Sequence, residues 1–478
     1  MTDRRPMILW FRRDLRLSDQ QAVASAASSG RPVIPLHILD ETMGGAARWW
    51  LHHSLAGLHR DIAALGNRLV LRRGPATEVI AGLIAETGAE AIAFNRSPDP
   101  AVAASDEALA RRLRQAGIEV ITSDGGLLFE PGGIRTGTGQ RFRVFTPFWR
   151  ACRAAPPPAW PLPAPEALPA PSTPVAGDKL DDWCLLPTAP DWARGFAPCW
   201  QPGEAGARAR LAAFIRHDLR DYGARRDRPD LQATSRLSPH LAFGEISPGQ
   251  VWHAAHHALA RDPARSTGVE RFLSELGWRE FSYHLLAAEP EMPRRPLRPE
   301  FARFPTLRDD TALRAWQRGL TGYPIVDAGM RELWQTGWMH NRVRMVAASF
   351  LIKDLLLPWT EGLAWFADTL VDHDVASNAA SWQWVAGCGA DAAPFFRIFN
   401  PTLQSRKFDP AGAYIRRFVP ELARLPDELI HAPAADPDRA ARHGVVLGRD
   451  YPAPIVDHDA ARQRALAALA SLKQENAA

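Results

Sequence analysis

Cysteine is scarce. Cys152, Cys184, Cys199 and Cys388 are the only thiols in 478 residues, and no two form a C-x-x-C pair. A structural zinc site or an iron–sulfur cluster needs about four clustered thiolate or imidazole ligands, so neither is expected. Isolated thiols fit a reducing, cytoplasmic setting. Long apolar runs are missing too. No stretch approaches the ~20 residues that cross a bilayer, and MILWF near the N-terminus is far too short for the core of a signal peptide. No membrane partner is expected. Several catalytic signatures are also absent. There is no G-x-x-x-x-G-K-[ST] phosphate loop, no G-x-G-x-x-G behind a strand and no H-E-x-x-H. The D-x-D of Asp372 and Asp374 lacks the later ligands of a calcium loop. Nothing therefore points to a phosphate-hydrolysing enzyme, a nicotinamide dehydrogenase or a metallohydrolase.

Lysine is as scarce as cysteine: all but four of the 57 basic residues are arginine. Codon bias and selection for phosphate contact both account for that. The net charge of +4 is compatible with nucleic acid without demonstrating it. Tryptophan, by contrast, is plentiful, with 17 residues, most of them after position 180.

Up to about residue 135, short apolar runs alternate with helix-like segments. MILWF (7–11), PVIPLHIL (32–39), RLVLRRG (68–74), AEAIAFN (89–95) and IEVITSD (118–124) predict strands. Segments 49–65 and 77–88 predict helices between them. This alternation predicts an α/β domain with a doubly wound parallel sheet over 1–135, whose ligands would sit at the carboxyl ends of the strands. Residues 154–174 contain nine prolines, which excludes helix and central strand. The span 136–202 is expected to be a proline-rich linker wrapping the surface. From 203 to 478 the pattern becomes helical, as in 208–222, 268–289, 324–337 and 342–358, and predicts a larger all-α domain.

Polar and aromatic residues interrupt these apolar helices. Glu275 and Trp278 are three apart and share a face. They form either a site or an acid of a helix's N-terminal turn near a core tryptophan. Asn341, Arg344 and Met345 also share a face, which either floors a cavity or belongs to an ordinary salt-bridged helix. Asp372 and Asp374 could pair with arginine, and Asn378 lies in the same segment. Trp382 and Trp384 are two apart, so on a helix they point to different sides.

The segments WFRRDLRLSD (10–19), ATSRLSPHLAFGEISP (233–248), FLSELGWREF (272–281), TGYPIVDAGMRELWQTGWMHNRVRM (321–345) and SWQWVAGCGADAAPFFRIFNP (381–401) resemble the DNA photolyase/cryptochrome family. The likeness runs from about residue 7 to about residue 469. The resemblance implies FAD held in a U-shape by the helical domain. Tyr222, Thr234, Ser235, Arg236, Leu237 and Ser238 match the segment around its phosphates and ribityl chain. Arg344 and Asp372 match the pair beside the isoalloxazine, with Asp374 on the same loop, and Asn378 matches the residue facing flavin N5. Glu275 matches the acid that meets the carbonyls of a pyrimidine dimer, and Asn341 the amide touching dimer and flavin. Met345 matches the apolar floor, and Trp278 and Trp384 the indoles flanking a flipped lesion. Arg226, Arg342 and Arg397 match basic positions at the rim, where DNA phosphates would pass.

The implied activity is light-driven repair of cyclobutane pyrimidine dimers in damaged DNA by a monomer. A (6-4) enzyme would carry two histidines in place of Asn341 and Met345, and a DASH-type protein Gln at 345. The cysteine positions exclude the iron–sulfur type. The alternative of another class is a cryptochrome-like blue-light photoreceptor, which often has a long C-terminal extension where only about nine residues follow the likeness here. GGAARWWLHHSLAGL (44–58) resembles the class I/class III group, which implies a methenyltetrahydrofolate antenna, with 8-hydroxydeazaflavin as the alternative. Asp40, Glu41 and Trp50 are candidates for that pocket. The family also passes electrons to its flavin along three tryptophans. Trp382 matches the first and Trp359 the second, but the third position is Thr306, which has no π-system. Trp316 and Trp338 are the candidate bypasses.

Overall fold

The structure, a computed structural model, describes residues 5–391 and 396–475. It divides into two compact units. The first comprises Met1–Ala193, Ala197–Asp221 and Ser235–Pro290, and the second Arg194–Phe196, Tyr222–Thr234 and Glu291–Ala478. No helix among the described residues is long and apolar enough to cross a membrane.

The uninterrupted apolar runs of the first unit become strands of a parallel sheet, because a strand covered on both faces needs no polar alternation. The strands are β1 (Met7–Phe11), β2 (Val33–Ile38), β3 (Val70–Arg72), β4 (Ala91–Asn95) and β5 (Glu119–Ser123), in the order β3-β2-β1-β4-β5. Met7 lies beside Val33 on one side and Ala91 on the other. β1 and β4 are wholly buried, whereas β5 is a partly exposed edge. The chain turns back at β1, so the crevice for ligands is expected at its carboxyl end. The helices between the strands are α1 (Gln21–Ser28), α2 (Gly45–Ala64), α3 (Ala76–Thr87) and α4 (Pro100–Gln115). Asp99 caps α4 by accepting from the Ala101 N–H, and Pro100 opens it.

The span expected to be only linker contains a helix, α5 (Phe145–Ala154), which buries Phe145, Phe148, Trp149 and Cys152 on one stripe. The prolines beyond it gave no hint of this stripe. They do form an irregular segment, and its carbonyls are used: Leu162 O accepts from the Asp19 N–H and Pro169 O from the Val33 N–H, both at 2.7 Å. The longer helices that follow in this unit are α6 (Glu204–His217), α7 (Pro248–Arg261) and α8 (Ser266–Ala288). A reciprocal capping box between Ser247 and Gln250 starts α7. Residues 235–290 thus pack with the α/β part, although the periodicity gave a single helical block from 203 onward.

The second unit is built on α9 (Pro324–Thr336), α10 (Asn341–Ser349), α11 (Trp359–Thr369), α12 (Val375–Ala386) and the C-terminal α13 (His458–Glu475), with shorter helices between them. The helix expected over 342–358 is interrupted. Phe350–Asp354 forms a π-helical turn, and Leu356 has a φ of +56°. Single π turns recur at functional positions. α13 is tied to this turn: His458 Nδ1 meets Asp354 Oδ1 at 2.5 Å, and Arg464 donates to the Asp354 carbonyl. The core gathers Val326, Met330, Val343, Phe350, Phe366 and Trp382.

Gly362 lets α11 come close to Trp382 on α12. A Cβ there would stand 2.0 Å from Trp382 Cη2. Gly362→Ala should therefore cost about 1–3 kcal/mol by overpacking, read as a lower urea midpoint. An unchanged midpoint would mean that Trp382 does not pack against α11.

Candidate functional site

In the second unit the loop before α12 brings a carboxylate to a guanidinium. Asp372 Oδ2 accepts from Arg344 Nη2 at 2.8 Å, and the Asp372 side chain is only 3% exposed. Its other oxygen, Oδ1, is buried with no hydrogen-bond partner. A buried carboxylate oxygen left unpaired costs free energy unless a donor arrives, so Oδ1 is where a bound N–H or O–H fits. Arg344 is fixed from two further sides: Nε donates to the Met339 carbonyl at 2.7 Å, and the cation lies 5.7 Å from the Trp338 ring. Asp374 caps α12, accepting from the Ser377 N–H. Asn378, one turn on, is buried, and its Nδ2 donates to the Leu363 carbonyl at 3.1 Å.

α10 carries Asn341 at its exposed first position, with Arg344 and Met345 half-buried. Its start is anchored by Glu332, whose Oε2 accepts from the His340 N–H (3.0 Å) and the Tyr414 hydroxyl (2.7 Å). Two of the three expected rim arginines are not free cations. Arg226 is buried, near Asp227 and over the Tyr222 ring. Arg342 pairs with Asp227 at 2.9 Å and stacks on Phe408. Adjacent opposite charges and an aromatic neighbour draw both inward. Arg397 alone is exposed, 5.9 Å from the ring of half-buried Trp384. Trp382 is buried and Trp359, at the start of α11, is half-buried, while Thr306 is exposed. Trp316 comes within 6.3 Å of Trp382 but is fully buried, and Trp338 is nearly so. Tyr222 and Thr234 also belong to this unit.

In the first unit, Glu275 and Trp278 are both half-buried on α8, and Arg271 approaches Glu275 at 3.7 Å. Of Ser235, Arg236, Leu237 and Ser238, Arg236 adopts a φ of +53° and rests 4.3 Å over the Trp200 ring. Asp40 and Glu41 are exposed just beyond β2, where Asp40 is already engaged by Thr42. Trp50 is closed off from solvent. It is fully buried against Trp200, His240 and Phe243, and its indole N–H is spent on Glu245 at 2.9 Å. The residue that sequence reasoning missed here is His37 on β2. Burial drives its imidazole down to about 4, Nδ1 faces the Phe11 carbonyl, Nε2 has no partner and Trp183 lies 6.1 Å away.

With this geometry in hand, the relatives decide the family. A family model for the FAD binding domain of DNA photolyase matches residues 272–471, and one for DNA photolyase matches 7–170. A deoxyribodipyrimidine photo-lyase of Agrobacterium fabrum is 52% identical over 98% of both chains. The chain belongs to the DNA photolyase family. The crystal structure of a bacterial class III photolyase from Agrobacterium tumefaciens matches with a TM-score of 0.97 at 52% identity, covering 99% of each chain. Cryptochrome-1 of Arabidopsis thaliana is more distant, 38% identical over 98% of this chain and 71% of its own. The Asp372 oxygen that lacks a donor lies within the part matched to the photolyase FAD binding domain, and its chemistry fits a flavin.

Lys353 was also missed, although a lone lysine within SFLIKDLLLP was a signal. It sits buried in the π turn, donates to the Arg397 carbonyl and lies 4.4 Å from the Phe396 ring. It thereby holds the backbone that carries Arg397. Burial pushes its ammonium down to about 7, against the opposing pull of Asp354. The unfolded chain keeps that proton up to about 10.4. Between these values the unfolded state binds more protons, so this group's contribution to stability is least below the folded pKa and grows as pH rises. Urea unfolding at about pH 6.5 and about pH 9 should show the native protein gaining stability relative to Lys353→Met. A constant difference would mean that the ammonium is not buried.

Proposed function

We propose that this chain repairs cyclobutane pyrimidine dimers in DNA under blue light, with FAD as its cofactor. The reading is carried by the likeness to a deoxyribodipyrimidine photo-lyase, which spans 98% of both chains at 52% identity. Reduced FAD, when bound, would supply the light-driven one-electron chemistry that splits the two inter-base bonds of the dimer. The protein binds, orients and excludes water. Asp372 Oδ1 would accept from the flavin ring, Arg344 would balance negative charge there, and Asn378 would face its N5 edge. Tyr222 and residues 234–238 would hold the phosphates and ribityl chain. A dimer stacks and pairs poorly, so turning it out of the duplex is cheap. Trp278 and Trp384 flank it, Met345 floors it, and Asn341 and Glu275 meet its polar edges. Arg397 contacts phosphate.

The antenna is methenyltetrahydrofolate rather than 8-hydroxydeazaflavin. The partnerless Nε2 of His37, near the carboxyl end of β2, supports a ligand there. Four unpaired cysteines fit a protein of the cytoplasm, acting as a monomer.

Blue light should remove dimers from irradiated oligothymidine incubated with the FAD-loaded protein. Persistence of the dimers would favour a photoreceptor instead. Glu275→Ala should lower the quantum yield of repair while FAD stays bound, and an unchanged yield at saturating substrate would remove Glu275 from the reaction.

Thr306 leaves the path from Trp382 and Trp359 without an oxidisable outer member. Photoreduction of oxidised flavin should therefore be slow or rerouted, while repair persists because reductants can supply the reduced form. With external reductant under blue light, Thr306→Trp should reduce its flavin faster and give a longer-lived tryptophan radical. No change in either would mean that the outer position is not limiting.

A further inference from the structure

Trp278 is the half-exposed end of a column of parallel rings. Phe145, the first residue of α5, lies face to face with it, the centroids 3.7 Å and the planes 9° apart. Trp149, one turn along α5, is parallel to Phe145 within 10° at 6.4 Å. Phe145 and Trp149 are both buried. Phe281 meets Trp278 edge-on at 6.0 Å. Among the described residues, no ring stacks on the face of Trp278 opposite Phe145.

The two helices are built to hold this column. Phe145, Phe148, Trp149 and Cys152 make one apolar stripe at helical spacing. Trp149 can lie flat against α8 only because residue 277 has no side chain: a Cβ on Gly277 would stand 2.5 Å from Trp149 Cε3. The approach to α5 is clamped to α8 by hydrogen bonds. The Phe142 N–H donates to His284 Nε2 at 3.0 Å, and burial keeps that imidazole neutral at pH 7. The Leu128 and Phe129 N–H groups donate to buried Glu280 at 2.8 and 3.2 Å. Ring pairs left to themselves prefer offset or edge contacts with centroids about 4.5–7 Å apart. The closer sandwich of Phe145 on Trp278 is therefore set by the helix packing.

We propose that Phe145, backed by Trp149, is the positioning residue that fixes the plane of Trp278, so that its open face is a preformed stacking wall for the dimer. This rests on the role given to Trp278 in the proposed function. A side chain ordered in advance spares the ligand the cost of ordering it, which is roughly three- to tenfold in affinity for one large side chain.

The test is a titration of the FAD-loaded protein, in the dark, with an oligothymidine carrying one cyclobutane dimer and with the same oligonucleotide undamaged. Trp278→Ala should lower the ratio of the two affinities by about tenfold or more. Phe145→Leu, which keeps apolar bulk but loses the flat ring, should lower it by about three- to tenfold with little change for undamaged DNA. Phe145→Tyr should restore it to within about twofold. Gly277→Ala, which displaces Trp149, should also lower it. If Trp278→Ala lowers the ratio and Phe145→Leu does not, the positioning role falls while the wall stands. Equal losses for both oligonucleotides in Phe145→Leu, or no rescue by tyrosine, would also overturn it. If Trp278→Ala leaves the ratio unchanged, the wall itself is wrong.

Discussion

The pair of half-buried Arg344 and buried Asp372 exists because two chain reversals are pinned to one another. Gly337 ends α9 with a φ of +66°, and its carbonyl accepts from the Val371 N–H at 2.8 Å. A side chain at 337 would stand 2.6 Å from Val371 Cγ1 and 2.8 Å from the Phe196 ring. With that glycine in place, the loop carrying Asp372 lies against the turn that leads into α10, and Arg344 meets the carboxylate on α10's first turn. A carboxylate buried this way costs several kcal/mol unless paired and hydrogen-bonded. Arg344 is satisfied by Met339 and Asp372, while Asp372 keeps one oxygen open. The imbalance is local, and it leaves an acceptor suited to a flavin.

The same economy recurs around it. Glu332 uses one oxygen to seat both the start of α10 and Tyr414. Lys353 spends a buried ammonium on one backbone carbonyl and one ring, steadying the segment that carries exposed Arg397. In the first unit, Glu280, pushed up to about 7 by burial, ties two backbone N–H groups to α8. Each of these groups would be a liability alone. Each is held because a loop that has no secondary structure of its own needs a polar anchor. The helices supply rigid positions, and buried polar side chains bring the loops to them.

Local pattern determined a good deal. Apolar runs at 7–11, 33–38 and 91–95 alternating with helix-like segments gave a parallel sheet, because parallel neighbours need a crossover and a helix supplies it. Trp382 and Trp384, two apart on a helix, had to face different surroundings, and one is buried while the other is half-buried beside Arg397. The motif segments were specific enough to give the family, and with it FAD. Tertiary structure decided which polar groups are free. Arg226 and Arg397 look alike in a sequence, yet the first is buried beside Asp227 and Tyr222 and the second is exposed. Trp50 looked like a pocket residue until Glu245, far along the chain, took its N–H. α5 was masked by the prolines that follow it, and its packing against α8 depends on a missing side chain at Gly277, more than a hundred residues away. Spacing along the chain fixes which side of a helix is apolar. Which partner covers that side, and which charge loses its water, depends on contacts between distant segments that no local pattern encodes.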